Sequence, residues 1–376
     1  MALRWLEAGQ GCQNGTIFAR LYPTASGVVG ATFTDEYGRT SMDSSNLVLR
    51  TPALVGSVAN TWIVGFGFQV TNGILDTSPS AFPFISFRDS TGAQCRLEVI
   101  DASDTKPGGV YYKLRVMRGA TELARTNERF DASIQADRRT YFEFKVVVRT
   151  GTNGSFSLRY FTFKSRTTST TATWSAANTG INTANNGTDG ADRTEFSWAT
   201  GSSDRVALTD IYVCDNSGAK NNDFLGKLYM EALDPQGNGN SQQWALAGSA
   251  ASLEDALNET ASTQSTGEDD KRITSDTVGE ISLVTMTNLS SLFGTSTIIG
   301  MQVRLYGKME TTGTRDVQLT YRKTTGSPVQ IGTNILDLDT TSIVGEADTQ
   351  ENDPNTSTDW VLADINGLEL GAELDA

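Results

Sequence analysis

Histidine is absent from all 376 residues, which removes the side chain that most often serves as a general base near neutral pH and as a zinc ligand. Ser-His-Asp and Cys-His sites and the H-E-x-x-H metal motif are excluded with it. Carboxylate-pair chemistry survives, because glycoside hydrolysis needs only two Asp or Glu side chains flanking the scissile bond. On a sheet such a pair projects from one face of one strand, at a spacing of two or four residues. An E-x-D-x-x-E pattern that would supply such a pair is not expected in this chain. Glu143 stands among apolar neighbours and Lys145, while Glu98 and Asp101 fall on opposite faces of their run, so these acids read as solvent-facing. No catalytic residue is assigned, and the expectation is a chain that is not an enzyme.

Phosphate and metal chemistry are equally thin. Gly65-Phe66-Gly67 lies inside a bulky strand run with no following helix or Lys-Ser/Thr, which marks close packing or a bulge rather than a phosphate loop. Asp215-Asn216-Ser217-Gly218, followed by Asn221, Asn222 and Asp223, gathers hard oxygen ligands as a calcium site does. Asx-Gly turns share that composition and are the commoner use of it, so no metal ligand and no cofactor is assigned. Cys12, Cys95 and Cys214 lie far apart without C-x-x-C spacing; they support neither a zinc ribbon nor a disulfide framework, and an odd thiol count fits folding in a reducing cytosol. Trp5, Trp62 and Trp360 sit in apolar runs and read as core, whereas Trp174 and Trp198 flank a polar stretch and are the candidates for stacking on a sugar ring.

The elements that must position these residues are strands. Short β-branched and aromatic runs with period-two alternation recur between Gly/Asn/Asp/Ser clusters. Strands are expected over 47–50, 61–70, 84–88, 96–100, 111–118, 121–126, 140–149, 155–164, 205–214 and 228–233, enough for a two-sheet sandwich. In the 140–149 run Phe142, Phe144, Val146 and Val148 face the core, and Tyr141, Glu143, Lys145, Val147 and Arg149 share the other side. Asn153-Gly154 suits a hairpin turn to the next strand. Residues 165–200 are rich in Thr, Ser, Asn and Gly, cannot hold a core, and read as a long rim excursion, either a binding loop or an inert insertion.

At Asp234-Pro235-Gln236-Gly237-Asn238-Gly239-Asn240 the Pro and Gly residues should end any ladder, placing a boundary near residue 236. The expected organisation is a jelly-roll sandwich over 1–236 and a smaller β-sandwich over 237–376. The latter draws on strands at 279–286, 296–309, 315–322, 329–335 and 360–370, a helical turn or two within 252–264, and an acid-rich surface loop over 346–359. No solenoid-period repeat is visible.

The formal net charge of -14 opposes phosphate backbones, and no Lys/Arg stripe is visible along the chain, so nucleic acid is not an expected partner. Such acidity suits ordinary solubility and also display at high local copy number. No apolar run reaches the roughly 18 residues of a membrane span, and the start has no basic segment leading into an apolar one, so cytosolic synthesis without membrane insertion is expected.

Segment order resembles a family of tailed-bacteriophage virion proteins with a concanavalin A-like, laminin-G-type lectin domain and a small C-terminal β domain. The resemblance rests on Ala2-Leu3-Arg4-Trp5-Leu6-Glu7, on Thr140-Tyr141-Phe142-Glu143-Phe144-Lys145-Val146, and on Asp210-Ile211-Tyr212-Val213-Cys214-Asp215 leading to Asn222-Asp223-Phe224-Leu225-Gly226. It continues in the 234–240 segment with Trp244 after it, and departs at Glu7-Ala8-Gly9-Gln10, where related openings often read Glu-Gly-Phe-Asp. None of these is a catalytic signature, so no site residue carries over. The resemblance implies a structural protein of the virion, on tail, fibre or capsid surface, made in the host cytoplasm. It implies a homo-oligomer that contacts other virion proteins and host surface glycans. Two competing readings are a stand-alone carbohydrate-binding module and a jelly-roll glycan hydrolase or lyase.

Overall fold

The computed structural model describes residues 3–7, 24–26, 29–34, 40–44, 46–54, 59–72, 81–101, 111–126, 130–131, 140–165, 168–172, 178–199, 205–257, 271–289, 296–309, 315–323, 326–338 and 344–375. The chain divides into two compact units, Met1–Met230 and Glu231–Ala376.

The strands of the first unit are β1 (Leu3–Glu7), β2 (Thr24–Ser26), β3 (Val29–Thr34), β4 (Thr40–Ser44), β5 (Asn46–Arg50), β6 (Thr61–Asn72), β7 (Ala81–Asp89), β8 (Gly92–Asp101), β9 (Tyr111–Arg118), β10 (Thr121–Arg125), β11 (Phe130–Asp131), β12 (Thr140–Val147), β13 (Gly154–Ser165), β14 (Thr168–Ala172), β15 (Asn178–Ile181), β16 (Arg193–Ala199) and β17 (Arg205–Asp215). One sheet runs β14-β13-β12-β6-β17-β4-β3, with β1 added on β17 and β15 on β13. The other runs β10-β9-β8-β7-β16-β5-β2, with β11 on β9. The described ladders are antiparallel, and non-sequential neighbours such as β6 beside β12 and β17 give a jelly-roll sandwich.

Alternation explains the packing. Phe66, Phe68, Phe142 and Phe144 from the first sheet meet Phe84, Phe87 and Phe196 from the second, all buried. Phe66 and Phe84 lie edge to face at 4.7 Å, Phe68 and Phe84 at 4.8 Å, contacts worth about 0.5–1.5 kcal/mol each beyond their area. Trp5 and Trp62 are core, as is Trp360 in the second unit.

Several local expectations need correcting. Residues 228–233 are not a strand but a coil whose Leu228 and Met230 pack on the first sheet. The 165–200 stretch is no continuous excursion: β14 and β15 extend the first sheet, and β16 is a central strand between β7 and β5, because Thr- and aromatic-rich segments satisfy a pleated ladder. The left-handed residue of the β12–β13 connection is Gly151 at φ 64°, and Gly154 already belongs to β13.

The second unit contains β18 (Pro235–Gln242), β19 (Ala245–Gly248), α1 (Leu253–Leu257), β20 (Lys271–Thr274), β21 (Ile281–Met286), β22 (Met301–Gly307), β23 (Asp316–Arg322), β24 (Val329–Asp337), β25 (Val344–Gln350), α2 (Leu362–Asn366) and β26 (Glu369–Leu374). Five strands form a sheet ordered β18-β21-β26-β23-β24, with β19-β20 and β22-β25 as separate pairs. Pro235 and its glycines do not end the ladder. They form the edge strand β18, where a missing N–H is tolerated and Gly239 lets the backbone approach Leu283. The 360–370 run opens with α2 rather than strand, and 346–350 lies in β25 rather than in a loop. Leu319, Tyr321, Ile331, Trp360, Ile365 and Leu368 make the core.

Candidate functional site

Sequence-named acids lie in two different settings. Glu143 on β12 faces away from the sandwich interior, yet it is fully buried, which corrects its solvent-facing reading. The segment after β17 folds back over it: Gly226 N–H donates to Glu143 Oε1 at 2.7 Å, Leu225 N–H donates to the Tyr212 hydroxyl at 3.2 Å, and Met230 N–H donates to Asp210 Oδ1 at 2.7 Å. Arg159 and the Tyr212 hydroxyl both donate to Glu143, and the Arg159 guanidinium lies 4.4 Å over the Phe224 ring. Burial, with the Glu143 carboxylate adding to it, pushes the Tyr212 phenol well above its ordinary range. Tyr212 is therefore a hydrogen-bond donor here, and this cluster anchors the returning segment.

The loop that resembles a calcium site spends its acids elsewhere. Asp215 pairs with Arg4 at 2.7 Å and accepts the Ser217 N–H and hydroxyl, while Asp223 pairs with Lys145 at 3.0 Å. No group of three or more His, Cys, Asp or Glu among the described residues is placed to hold a metal. Trp174 lies outside the described residues. Trp198 stands opposite Leu47 in the β16–β5 ladder, and its side chain is outside the description.

The second sheet presents a different surface. Its register puts Leu49, Phe196, Ile85, Leu97 and Val116 side by side toward the core. The adjacent row, which faces away from the core, is Arg50, Glu195, Ser86, Arg96 and Met117, and the next carries Glu98, Arg115 and Arg125. Arg50 donates to Glu195 Oε2 through Nε at 2.7 Å and Nη2 at 2.5 Å, and Arg88 Nη1 donates to Oε1 at 3.2 Å. Arg96 Nε donates to Glu98 Oε1 at 2.5 Å and Arg115 Nε to Oε2 at 2.6 Å. Glu122 takes Arg125 in a fork at 2.9 and 2.7 Å, and hydrogen bonding from Arg125 holds its carboxyl below the usual range.

Glu98 and Glu195 are 4% and 7% exposed, whereas the Arg88, Arg96 and Arg115 side chains keep 23–24% of theirs. Among the described residues, Arg50, Arg88, Arg96, Arg115 and Arg125 therefore share this face with Glu98, Glu122 and Glu195, beside the paired Arg193 and Asp192, on a chain whose total charge is -14. Among the described residues, Arg88 Nε and Nη2 and both Nη groups of Arg96 meet no acceptor. Fixed, part-exposed guanidiniums with N–H groups to spare are bidentate receptors for carboxylates.

Sequence reasoning missed this face. The Lys/Arg stripe judged absent is assembled across strands β5, β7, β8, β9 and β10, so it has no continuous run in the chain. The Arg-x-Glu spacings of Arg96-Leu97-Glu98 and Arg193-Thr194-Glu195 are its local signals. A further omission is Glu346-Ala347-Asp348-Thr349-Gln350-Glu351, an E-x-D-x-x-E run on and just after β25. Asp348 stands opposite the core residue Val303, is 7% exposed and accepts from Gln350, so it points inward and forms no open acid pair.

No family model and no curated protein matches this sequence. Solved structures of similar fold include the PL-14 alginate lyase from Aplysia kurodai, at 10% identity and TM-score 0.40, covering 57% of this chain and 99% of that one. They also include the endo-β-1,4-glucuronan lyase from the fungus Trichoderma reesei, at 11% identity and TM-score 0.32, covering 56% and 94%. The exoplasmic/lumenal domain of VIP36 is a third, at 13% identity and TM-score 0.29, covering 46% and 75%. The likeness is one of sandwich fold. Because polysaccharide lyases are among these sandwiches, the expectation that the chain is no enzyme is withdrawn. None of these three is a phage virion protein, and the virion reading gains no support from them.

Proposed function

We propose that the first unit is a glycan-active jelly roll that binds acidic polysaccharide across the outward face of its second sheet. The observation that carries this reading is the set of part-exposed guanidiniums of Arg88, Arg96 and Arg115, held in place by buried Glu98 and Glu195, with N–H groups to spare on Arg88 and Arg96. A uronic-acid polymer supplies planar carboxylates at regular intervals, which is what such guanidiniums recognise. Nucleic acid fits less well, since its denser phosphate charge meets a strongly acidic chain beyond this face.

The experiment is calorimetric titration of the full chain with a polyuronate, an uncharged glucan and single-stranded DNA at low and physiological salt, with release of unsaturated and reducing ends followed in parallel. Binding to the polyuronate alone, weakened by salt and reduced about tenfold or more by Arg88→Gln with Arg96→Gln, supports the reading. Equal binding of the glucan, or tighter binding of DNA, overturns it. End-group release by the bound polymer, lost in the same variant, assigns catalysis to this face. The oligomeric, virion-surface placement is a separate proposal from the resemblance of segments, tested by looking for the chain in purified phage particles.

A further inference from the structure

The outward face of the second sheet contains not one cationic patch but two. The first joins Arg50, Glu195 and Arg88 across β5, β16 and β7; the second joins Arg96, Glu98 and Arg115 across β8 and β9. Each sets two guanidiniums against one buried carboxylate, one positive charge in excess within the triad; the flanking Arg193–Asp192 and Arg125–Glu122 pairs are each neutral, with Glu122 also 3.8 Å from Arg115. Ser86 lies between them: it is opposite Glu195 on one side and Arg96 on the other, and it is buried at 3% exposure. Glu195 and Glu98 are therefore two strand spacings apart across the sheet and two residues apart along it, which puts the centres of the two triads roughly 12 Å from one another.

We infer that the site is a two-point receptor: it selects chains carrying at least two carboxylates that reach both triads, and it discriminates against single acidic sugars. This rests on the acidic-glycan reading above and adds a spacing requirement to it. A monovalent uronate engages one triad with the affinity of an exposed charge pair. A chain long enough to reach both turns the second contact into an intramolecular one, worth on the order of 10²-fold in affinity without new chemistry. The alternating Glu residues are part of the selection, because they separate the guanidiniums into two discrete centres in place of a continuous cationic stripe.

Two substitutions separate the triads without exposing an unpaired buried acid. Arg88→Gln leaves Glu195 with Arg50, and Arg96→Gln leaves Glu98 with Arg115, so each takes one triad to net neutrality while its carboxylate keeps a partner. The test is the affinity of the full chain for uronate oligomers of increasing length, from the monomer upward, by titration calorimetry at fixed salt. Expected is a step of about 10²-fold at the length whose carboxylates first span the two centres. Either single substitution removes that step, while the monomer loses no more than about twofold, the statistical loss of one of two sites. Affinity that climbs smoothly with charge count, or a step that survives either substitution, overturns the two-point receptor while leaving acidic-glycan binding intact. Failure of every oligomer and polymer to bind overturns both.

Discussion

Gly65 gives the sharpest test of how the first unit is packed. A Cβ added there would sit 2.7 Å from Tyr212 Cδ1 and Cζ and closer still to Cε1. The ring has no room to retreat. It is fully buried, its hydroxyl donates to Glu143 and accepts from Leu225, and Glu143 is itself held by Arg159 and Gly226. Gly65→Ala should therefore cost near the upper end of overpacking, about 3 kcal/mol. Loss of glycine from a strand interior returns about 0.5–1 kcal/mol. The net is about 2 kcal/mol, equivalent to about 30-fold in an opening equilibrium. Hydrogen exchange of the β6 and β17 amides in the full chain should accelerate by that factor. With Tyr212→Ala already present the ring is gone, and adding Gly65→Ala to it should leave only the gain from losing glycine, a slowing of exchange of about fivefold at most, the signature of a coupled pair. Wild-type exchange in Gly65→Ala, or an undiminished penalty in the Tyr212→Ala background, would refute the reasoning.

The second unit carries two carboxylates whose pH effects have opposite signs. Burial alone would raise Asp353, but donation by Lys323, the Tyr321 hydroxyl and Thr356 outweighs it and holds the group at about 2. Its folded value is thus depressed, so its stabilisation is complete above about pH 4 and fades as pH falls toward 2. The melting temperature of the second unit should drop through that interval, and Asp353→Asn should flatten the drop. Asp348 is raised by burial, against donation from Gln350. The stability linked to its protonated form is present below the unfolded value and lost as pH rises through the folded one, so Asp348→Asn should raise the melting temperature at pH 7 and leave it unchanged at pH 3. A gain of equal size at both pH values would contradict that assignment. Cys95 is buried, and burial pushes its thiol up to about 12. Peptide mapping after treatment with a thiol reagent at pH 8 should find it labelled only as fast as the unit unfolds.

What alternation encodes was readable. Phe142, Phe144, Val146 and Val148 face the sandwich interior because period-two patterning is a property of a single strand, visible without knowing its neighbours. Gly65 was also legible as a close-packing glycine, although the ring that requires it, Tyr212, comes from a strand far along the chain. Glu143 misled for a related reason. Its position opposite the core side was right, but the burial comes from the 224–230 segment, which has no strand pattern of its own and whose docking is tertiary. The edge strand at 235–242 was hidden by Pro and Gly, residues that break central ladders but are admitted at an edge.

The arginine face lies beyond all such single-strand reasoning. Arg50, Arg88, Arg96, Arg115 and Arg125 come from five strands, and in sequence each looks like an isolated solubilising residue. Only the ladder register, which sets Glu195 beside Arg50 and Glu98 beside Arg115, makes them neighbours. Composition pointed the other way, since a net charge of -14 describes the chain and not any one surface of it. Charge is additive over a sequence, whereas recognition depends on the local field, and at physiological salt that field fades over about 8 Å. A ligand carboxylate within reach of Arg88 or of Arg96 therefore meets the triad that arginine belongs to, and most of the acidic chain beyond that distance is screened from it.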